Sequence, residues 1–89
     1  MTNNDVFRKI LFLTGLQRDV DLIVRIFKLG GVNATESKIK GWRTEMNNDR
    51  ASLMPDDFLN AFFDGFFLYR DEMRKKGLNI FNFEVNKSA

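Results

Sequence analysis

The side chains that could do chemistry in this 89-residue chain are carboxylates, amines and hydroxyls, because the sequence contains no histidine and no cysteine. Imidazole catalysis, thiol nucleophiles, disulfides and zinc sites built on His or Cys are therefore excluded. The serines have no imidazole base, although the composition does not exclude a Ser–Lys pair. The sequence also lacks the glycine-rich phosphate loop that ends in Gly-Lys-Ser or Gly-Lys-Thr.

Aspartates are the remaining candidates for metal binding or acid–base catalysis. Asp56 and Asp57 are adjacent, so their side chains point in different directions, and their position at the start of a predicted helix explains them without a ligand. A helical wheel places Asp64 on an outer face, and Asp49 falls in a predicted loop. We therefore predict no metal site, no cofactor and no catalytic residue, that is, a protein that is not an enzyme.

Apolar residues recur with helical spacing along most of the chain, which predicts an all-α fold, a compact bundle of four or five helices. Glycines and capping residues punctuate the pattern, as is typical of helix ends. The predicted starts and ends, in chain order, are Asn4 or Asp5 to Gly15, Arg18–Asp19 to Gly30–Gly31, Thr35 to about Met46, and Pro55 to Gly77.

The third and fourth predicted helices carry the core signals. In the third helix, Ile39, Trp42 and Met46 form one apolar line, and Gly41 predicts the close approach of another backbone. In the fourth helix, Pro55 fits the first helical position. Apolar residues cover about half of its circumference, more than a one-sided surface stripe would. This helix is either central in the bundle or covered along one edge by a second subunit.

The sequence period changes after Gly77, where Phe81, Phe83 and Val85 alternate with polar residues in a strand-like pattern. A single short strand is not stable by itself. We therefore predict one helical domain, residues 1–77, followed by a short strand-like or loose C-terminal tail, residues 78–89.

Ten phenylalanines are more than a core of this size is expected to bury. Phe63 and Phe67 lie at the edge of the apolar stripe, and Phe81 and Phe83 lie in the tail. Large exposed aromatic side chains are typical of interfaces. We predict a non-enzymatic interaction module that pairs with itself as a homodimer or binds a partner protein through these four residues. Alternatively, the tail folds back over Phe63 and Phe67.

A second interpretation starts from the segment Leu22–Arg43, which resembles a DNA-binding helix-turn-helix. Lys38, Lys40 and Arg43 would then bind nucleic acid through phosphates, and Arg43 could also contact guanine. The connection between the two helices is longer than the tight turn of such motifs. The excess of positive charge on the second helix is also small for a nucleic-acid-binding surface.

Five short patterns along the chain together resemble one repeat of the YehS-like family, an uncharacterised group of bacterial proteins with a domain of unknown function. The resemblance covers residues 2–76 and implies an all-helical cytoplasmic unit, with no known activity and no functional residues. Family members typically carry two tandem copies, so a single copy is expected to expose a surface that the second would cover. The patterns are Thr2-Asn3-Asn4-Asp5-Val6, Ile26-Phe27-x-Leu29-Gly30-Gly31, Trp42, Phe62-x-Asp64-Gly65 and Tyr69-Arg70.

The longest uncharged run, Ile10–Gln17, is too short to span a membrane. No small-residue cleavage site follows it, so the basic and apolar N-terminus is not interpreted as a signal peptide. The net charge of +2 is weak evidence for nucleic acid. We predict a cytoplasmic protein that does not bind membranes.

Overall fold

The computed structural model describes residues 1–81, which form four α-helices and no β-strand. A 3₁₀ turn at Leu16–Arg18 lies between the first two helices. The predicted all-α fold is therefore confirmed, whereas the tail residues Phe83 and Val85 lie outside the described residues. The helices are α1 (Asn3–Thr14), α2 (Val20–Leu29), α3 (Glu36–Arg43) and α4 (Asp56–Lys75).

Helix α1 begins earlier than the sequence pattern predicts. Thr2 is the N-cap, and its Oγ1 accepts a hydrogen bond of 3.1 Å from the Asp5 amide, while Asp5 Oδ2 accepts one of 3.0 Å from the Thr2 amide. This reciprocal capping box satisfies two amide groups that a helix start leaves unpaired. The prediction that Asn4 or Asp5 starts the helix was therefore wrong. Gly15, with φ of 78°, ends the helix as predicted.

Helix α3 is shorter than predicted. It ends at Arg43, because Thr44 adopts an extended backbone conformation and its hydroxyl donates to the Lys40 carbonyl at 2.7 Å. Ile39 and Trp42 are buried as predicted. Met46 lies beyond the helix end and is exposed, so its predicted place on the inner line was wrong.

Helix α4 starts one residue later than predicted, since Pro55 is the N-cap rather than the first helical residue. At the other end, Gly77 has φ of 80°. Its amide donates to the Arg74 carbonyl, and the Leu78 amide donates to the Met73 carbonyl at 2.9 Å. These two bonds form a Schellman motif, which ends the helix and turns the chain.

An aromatic cluster fills the centre of the bundle. The rings of Phe7 and Phe62 pack edge to face at 5.1 Å between centroids, and Phe27 lies 5.7 Å from Trp42. Such pairs add stabilisation beyond the burial of their area. Because the four rings come from α1, α2, α3 and α4, this cluster joins all the helices. Around it lie the other buried apolar residues of the same cluster, Leu11, Leu16, Ile23, Ile26, Ala34, Ile39, Met54 and Phe66.

Helices α2 and α4 cross closely at two glycines. A Cβ atom at Gly65 would overlap the carbonyl oxygen of Ile26, and one at Gly30 would overlap the carbonyl oxygen of Ala61. The two backbones are therefore in direct contact. Any side chain at either glycine would prevent this close approach. This crossing fixes which side of α4 faces the core and which side stays exposed.

Candidate functional site

Three of the four residues predicted to form an interaction site lie together on the surface. Phe63 and Phe67 of α4 and Phe81 line a groove of about 190 Å³, and Ile10 of α1 forms part of its wall. We call this surface the aromatic groove. The fourth predicted residue, Phe83, lies outside the described residues.

The buried ring of Phe66 connects the aromatic groove to the core. The turn after α4 brings Phe81 back onto Phe66, with 5.2 Å between the ring centroids. Phe81 is still 39% exposed and Phe67 is 58% exposed. The folded chain therefore leaves much of this aromatic surface uncovered within residues 1–81.

Arg70 borders the aromatic groove and is held by two contacts. Its guanidinium carbon lies 5.2 Å from the centroid of the Phe67 ring, a cation–π distance. Its Nη2 atom also lies 3.2 Å from the Asp71 carboxylate. Within residues 1–81 the Nε atom is buried without a hydrogen-bond partner. The groove is thus apolar in the middle, with a cation at its edge.

The exposed face of α4 also carries charges in a regular order. At about 100° per residue, Asp64 and Arg70 each lie one turn from Phe67, on opposite sides of it along the helix axis. Both acidic residues of the first turn precede Asp64, and Arg74 and Lys75 follow in the last turn. Apart from Asp71 and Glu72 in its later part, α4 therefore changes from acidic to basic along its length, with Phe67 near the change.

The residues predicted to bind nucleic acid do not share one surface. Lys40 and Arg43 line a second groove, between α1 and α3. The Lys38 ammonium lies 5.7 Å from the centroid of the Phe58 ring, on the side of α3 that faces α4. The structure therefore brings together two of the three predicted residues.

This second groove has a volume of about 1100 Å³, and we call it the basic groove. Arg8 and Phe12 of α1 and Arg50 of the loop before α4 line it together with Lys40 and Arg43. No sequence pattern identifies Arg8, Phe12 or Arg50 as site residues. Residues 1–54 contain nine Lys or Arg and six Asp or Glu, a basic excess that does not indicate which cations converge.

Asn4 holds the loop that completes the basic groove. Its side chain is fully buried and forms two hydrogen bonds of 2.7 Å, donating to the Ser52 carbonyl and accepting from the Met54 amide. Asn3 adds a 3.0 Å bond to the Met54 carbonyl. The loop also contacts α3, where the Ser52 amide donates to the Gly41 carbonyl at 3.2 Å. The atom nearest to a Cβ at Gly41 would be the Ser52 hydroxyl oxygen, so a side chain rather than the predicted backbone makes the closest approach.

The carboxylate of Asp5 takes part in the capping box at the start of α1. Its hydrogen bond from the Thr2 amide holds the pKa of Asp5 below its ordinary value, since that bond favours the charged form. The Thr2 hydroxyl and Arg8, at 2.7 Å, act in the same direction, whereas desolvation opposes them. The shift is explained by helix capping.

The aspartates considered for metal binding are separated or engaged elsewhere. Asp56 accepts a 2.6 Å hydrogen bond from the Asn3 side chain. Asp64 lies on the exposed face of α4, apart from Asp49 in the loop. Across residues 1–81, no three carboxylates come close enough together to hold a metal ion.

The fold defines a small all-helical domain with one groove on either side of its first helix. Residues 3–71 match the family described as "Protein of unknown function (DUF1456)", and because the match covers most of the chain, the protein belongs to that family. No curated protein and no solved structure shows significant similarity to it. None of the helices in residues 1–81 has the length and apolar content needed to cross a membrane.

Proposed function

We propose that this protein is a non-enzymatic interaction module that associates with a second copy of itself through the aromatic groove. The observation that carries the proposal is Phe67, whose ring is more than half exposed beside Phe63 and Phe81. Burying exposed aromatic area contributes about 25 cal/mol per Å². A partner that covers this groove would therefore recover free energy that the isolated chain leaves unused.

The charges on α4 favour a second copy as the partner. In an antiparallel pair of α4 helices centred on Phe67, Asp64 of each copy lies opposite Arg70 of the other. Symmetric pairing repeats every favourable contact, as in other two-fold interfaces. The acidic first half of each helix then lies against the more basic second half of its partner, which supports this orientation over a parallel one.

The resemblance to the YehS-like family agrees with this arrangement. We propose that the chain corresponds to one repeat of that family. If tandem copies pack side by side in those proteins, two separate chains can reproduce the arrangement by dimerising. The cytoplasmic location predicted from the sequence belongs to the same proposal.

Charge exchange at Asp64 and Arg70 tests the proposed dimer. Asp64→Arg alone and Arg70→Asp alone each place like charges opposite one another and are expected to weaken self-association, measured by sedimentation velocity over a concentration series. The double variant restores both pairs with reversed signs and is expected to recover dimerisation. Phe67→Ala is expected to weaken it further, by about tenfold or more.

Asp49→Arg is the matched control, because it changes the net charge of an exposed loop residue by the same amount without altering α4. It is expected to leave self-association unchanged. A wild-type protein that is cleanly monomeric at high micromolar concentration would contradict the proposal. A dimer whose double variant is no better than the single variants would contradict the antiparallel α4 geometry.

A second candidate function, nucleic-acid binding, is favoured by the position of Lys40 and Arg43 in the basic groove. In the helix-turn-helix interpretation, α3 would enter the major groove with Lys38 as well, although Lys38 lies against Phe58. An amide NMR titration with random duplex DNA at low salt tests this candidate. Salt-sensitive shifts confined to residues 35–43 would support a duplex-reading helix, and no shifts would exclude it.

A further inference from the structure

The basic groove collects cations from three separate parts of the chain. Arg8 comes from α1, Lys40 and Arg43 from α3, and Arg50 from the loop before α4. Residues so distant in sequence meet here because the Asn4 hydrogen bonds fix the loop against α1. The cluster is therefore a product of the fold and not of one basic stretch.

Two of these cations are not neutralised by acidic neighbours. Within residues 1–81, Arg43 and Arg50 form no ion pair, whereas Arg8 pairs with Asp5 and Lys40 lies 3.5 Å from Glu36. Arg43 Nη1 donates to the Gln17 carbonyl at 3.0 Å, which positions the guanidinium. Because this acceptor is neutral, it does not neutralise the positive charge of Arg43. An arginine has five N–H donors, so most of those on Arg43 remain for a ligand.

An exposed aromatic ring lies in the same groove. Phe12 is 66% exposed, and it lines the groove beside Arg8. Its position on α1 is turned away from the buried stripe of Phe7 and Leu11, so the core does not explain it. Proteins that bind single-stranded nucleic acids combine a cation-lined groove with exposed aromatic rings. The cations bind the phosphates, and the bases stack on the rings.

The shape of the groove distinguishes a single strand from a duplex. A duplex is read by a helix that protrudes into its major groove. Here Lys40 and Arg43 line a concave surface between α1 and α3 instead. Glu36 and Glu45 also line it, which limits its net positive charge. A short single strand needs few phosphate-binding cations and can lie in a concave groove. It therefore fits this surface better than a duplex does.

We propose that the basic groove binds single-stranded nucleic acid, with a base stacked on Phe12 and backbone phosphates bound by Arg43 and Arg50. The proposal is independent of self-association through the aromatic groove. It refines the second candidate function, and so it rests on nucleic-acid binding but not on a helix-turn-helix.

Fluorescence anisotropy with a labelled oligonucleotide of about 12 nucleotides, single-stranded or annealed, tests the proposal at low salt. The single strand is expected to bind more tightly than the duplex. Phe12→Ala is expected to weaken single-strand binding by about fivefold or more, since base stacking on an aromatic ring is lost. Arg43→Gln and Arg50→Gln are each expected to make the negative slope of log K against log salt shallower by about 0.7.

Leu13→Ala is the matched control, because Leu13 is the exposed apolar neighbour of Phe12 on α1 and lies outside the basic groove. It is expected to leave oligonucleotide binding unchanged. Phe12 is exposed, so Phe12→Ala is also expected to keep the thermal midpoint of the wild type. Phe12→Trp supplies a second readout, since stacking quenches tryptophan fluorescence while the buried Trp42 contributes a constant background.

The possible failures are distinguishable. No binding of either oligonucleotide at low salt would overturn both the proposal and the nucleic-acid candidate. Tighter duplex binding with no effect of Phe12→Ala would overturn the single-strand proposal and keep duplex binding. Competition by polyglutamate as effective as by the oligonucleotide, with no effect of Phe12→Ala, would show general polyanion exchange and overturn the proposal.

Discussion

Helix α1 separates two grooves of different character. On one side, Ile10 joins the aromatic groove, whose wall is almost entirely apolar apart from Arg70. On the other side, Arg8 and Phe12 join the basic groove, which is lined mainly by charged and polar residues. Both grooves contain an exposed phenylalanine, Phe67 in one and Phe12 in the other.

The kind of partner that an exposed phenylalanine can contact depends on the residues around it. Phe67 lies beside other aromatic rings, and in our proposal it contacts an apolar partner surface. Phe12 lies beside arginines without acidic partners, and in our proposal it contacts a ligand with both anionic groups and flat rings. The composition of the chain, with its ten phenylalanines, cannot separate these two uses.

The largest effect is expected from a change that removes the support of both grooves. Trp42→Ala deletes a ring that contacts Phe7, Phe27 and Phe58, and it is expected to cost about 3–5 kcal/mol of unfolding free energy. Urea unfolding followed by far-ultraviolet circular dichroism measures this loss. A nearly neutral result would contradict the burial of Trp42 and the joint support of the two grooves.

The next largest loss of stability is expected at the crossing of α2 and α4, which supports the aromatic groove. Gly65→Ala places a methyl group against the Ile26 carbonyl oxygen and forces α2 and α4 apart, at a cost of about 3 kcal/mol. Self-association is expected to fall with it, because the aromatic groove belongs to α4. In Gly41→Ala, the methyl group meets the movable Ser52 hydroxyl at 2.6 Å, so the loss is expected to be smaller. Equal losses in thermal unfolding would argue against the backbone contact.

A smaller effect, confined to the basic groove, is expected from Asn4→Ala. The variant leaves the Met54 amide and the Ser52 carbonyl without their partner, at a cost of about 1–3 kcal/mol. Oligonucleotide binding through Arg50 is expected to weaken while self-association is retained. Asn3→Ala, which removes less buried bonds, is expected to be milder in both assays. Equal loss of both functions would contradict the separation of the grooves.

The smallest effect is expected from Asp5→Asn and depends on pH. The folded-state pKa of Asp5 is lowered, so its carboxylate adds stability above the unfolded-state pKa, about 4, and that stability is lost as the pH falls through the folded-state pKa. The stability difference between wild type and variant is therefore expected to grow from acidic to neutral pH. Urea unfolding at several pH values measures it, and a constant difference would contradict the capping role.

Local signals predict most of the helical structure. Apolar spacing and glycine positions place the four helices, and the apolar stripe of α4 correctly predicts Phe63 and Phe67 at an edge. The errors at Thr2 and Met46 arise where a side-chain hydrogen bond marks the helix end, and spacing does not report such bonds. The error at Pro55 arises because its backbone is extended, with ψ of 151°, which spacing does not report either. The predicted self-association, like the prediction that the chain is not an enzyme, stays a prediction.

The basic groove could not be predicted for a different reason. Arg50 joins Arg8 because Asn4 and Gly41 hold the backbone of residues 52–54, and no local pattern encodes contacts over that separation. The close crossing of Gly30 and Gly65 is likewise a tertiary contact. Local rules assign the pair of asparagines ahead of the apolar stripe to helix capping, which gives no indication of this contact.

The Asn4 side chain also has a consequence for how the protein opens and closes. It joins the start of the chain to residues about fifty positions later, so its bonds form only after the two ends of a long segment have met. The Met54 amide, although in a loop, is expected to exchange its hydrogen as slowly as amides in the core helices. The amides of the exposed residues 45–50 are expected to exchange faster. Residues 45–50 of the loop are therefore expected to open locally. The part bound by Asn4 is expected to open only when the whole domain unfolds.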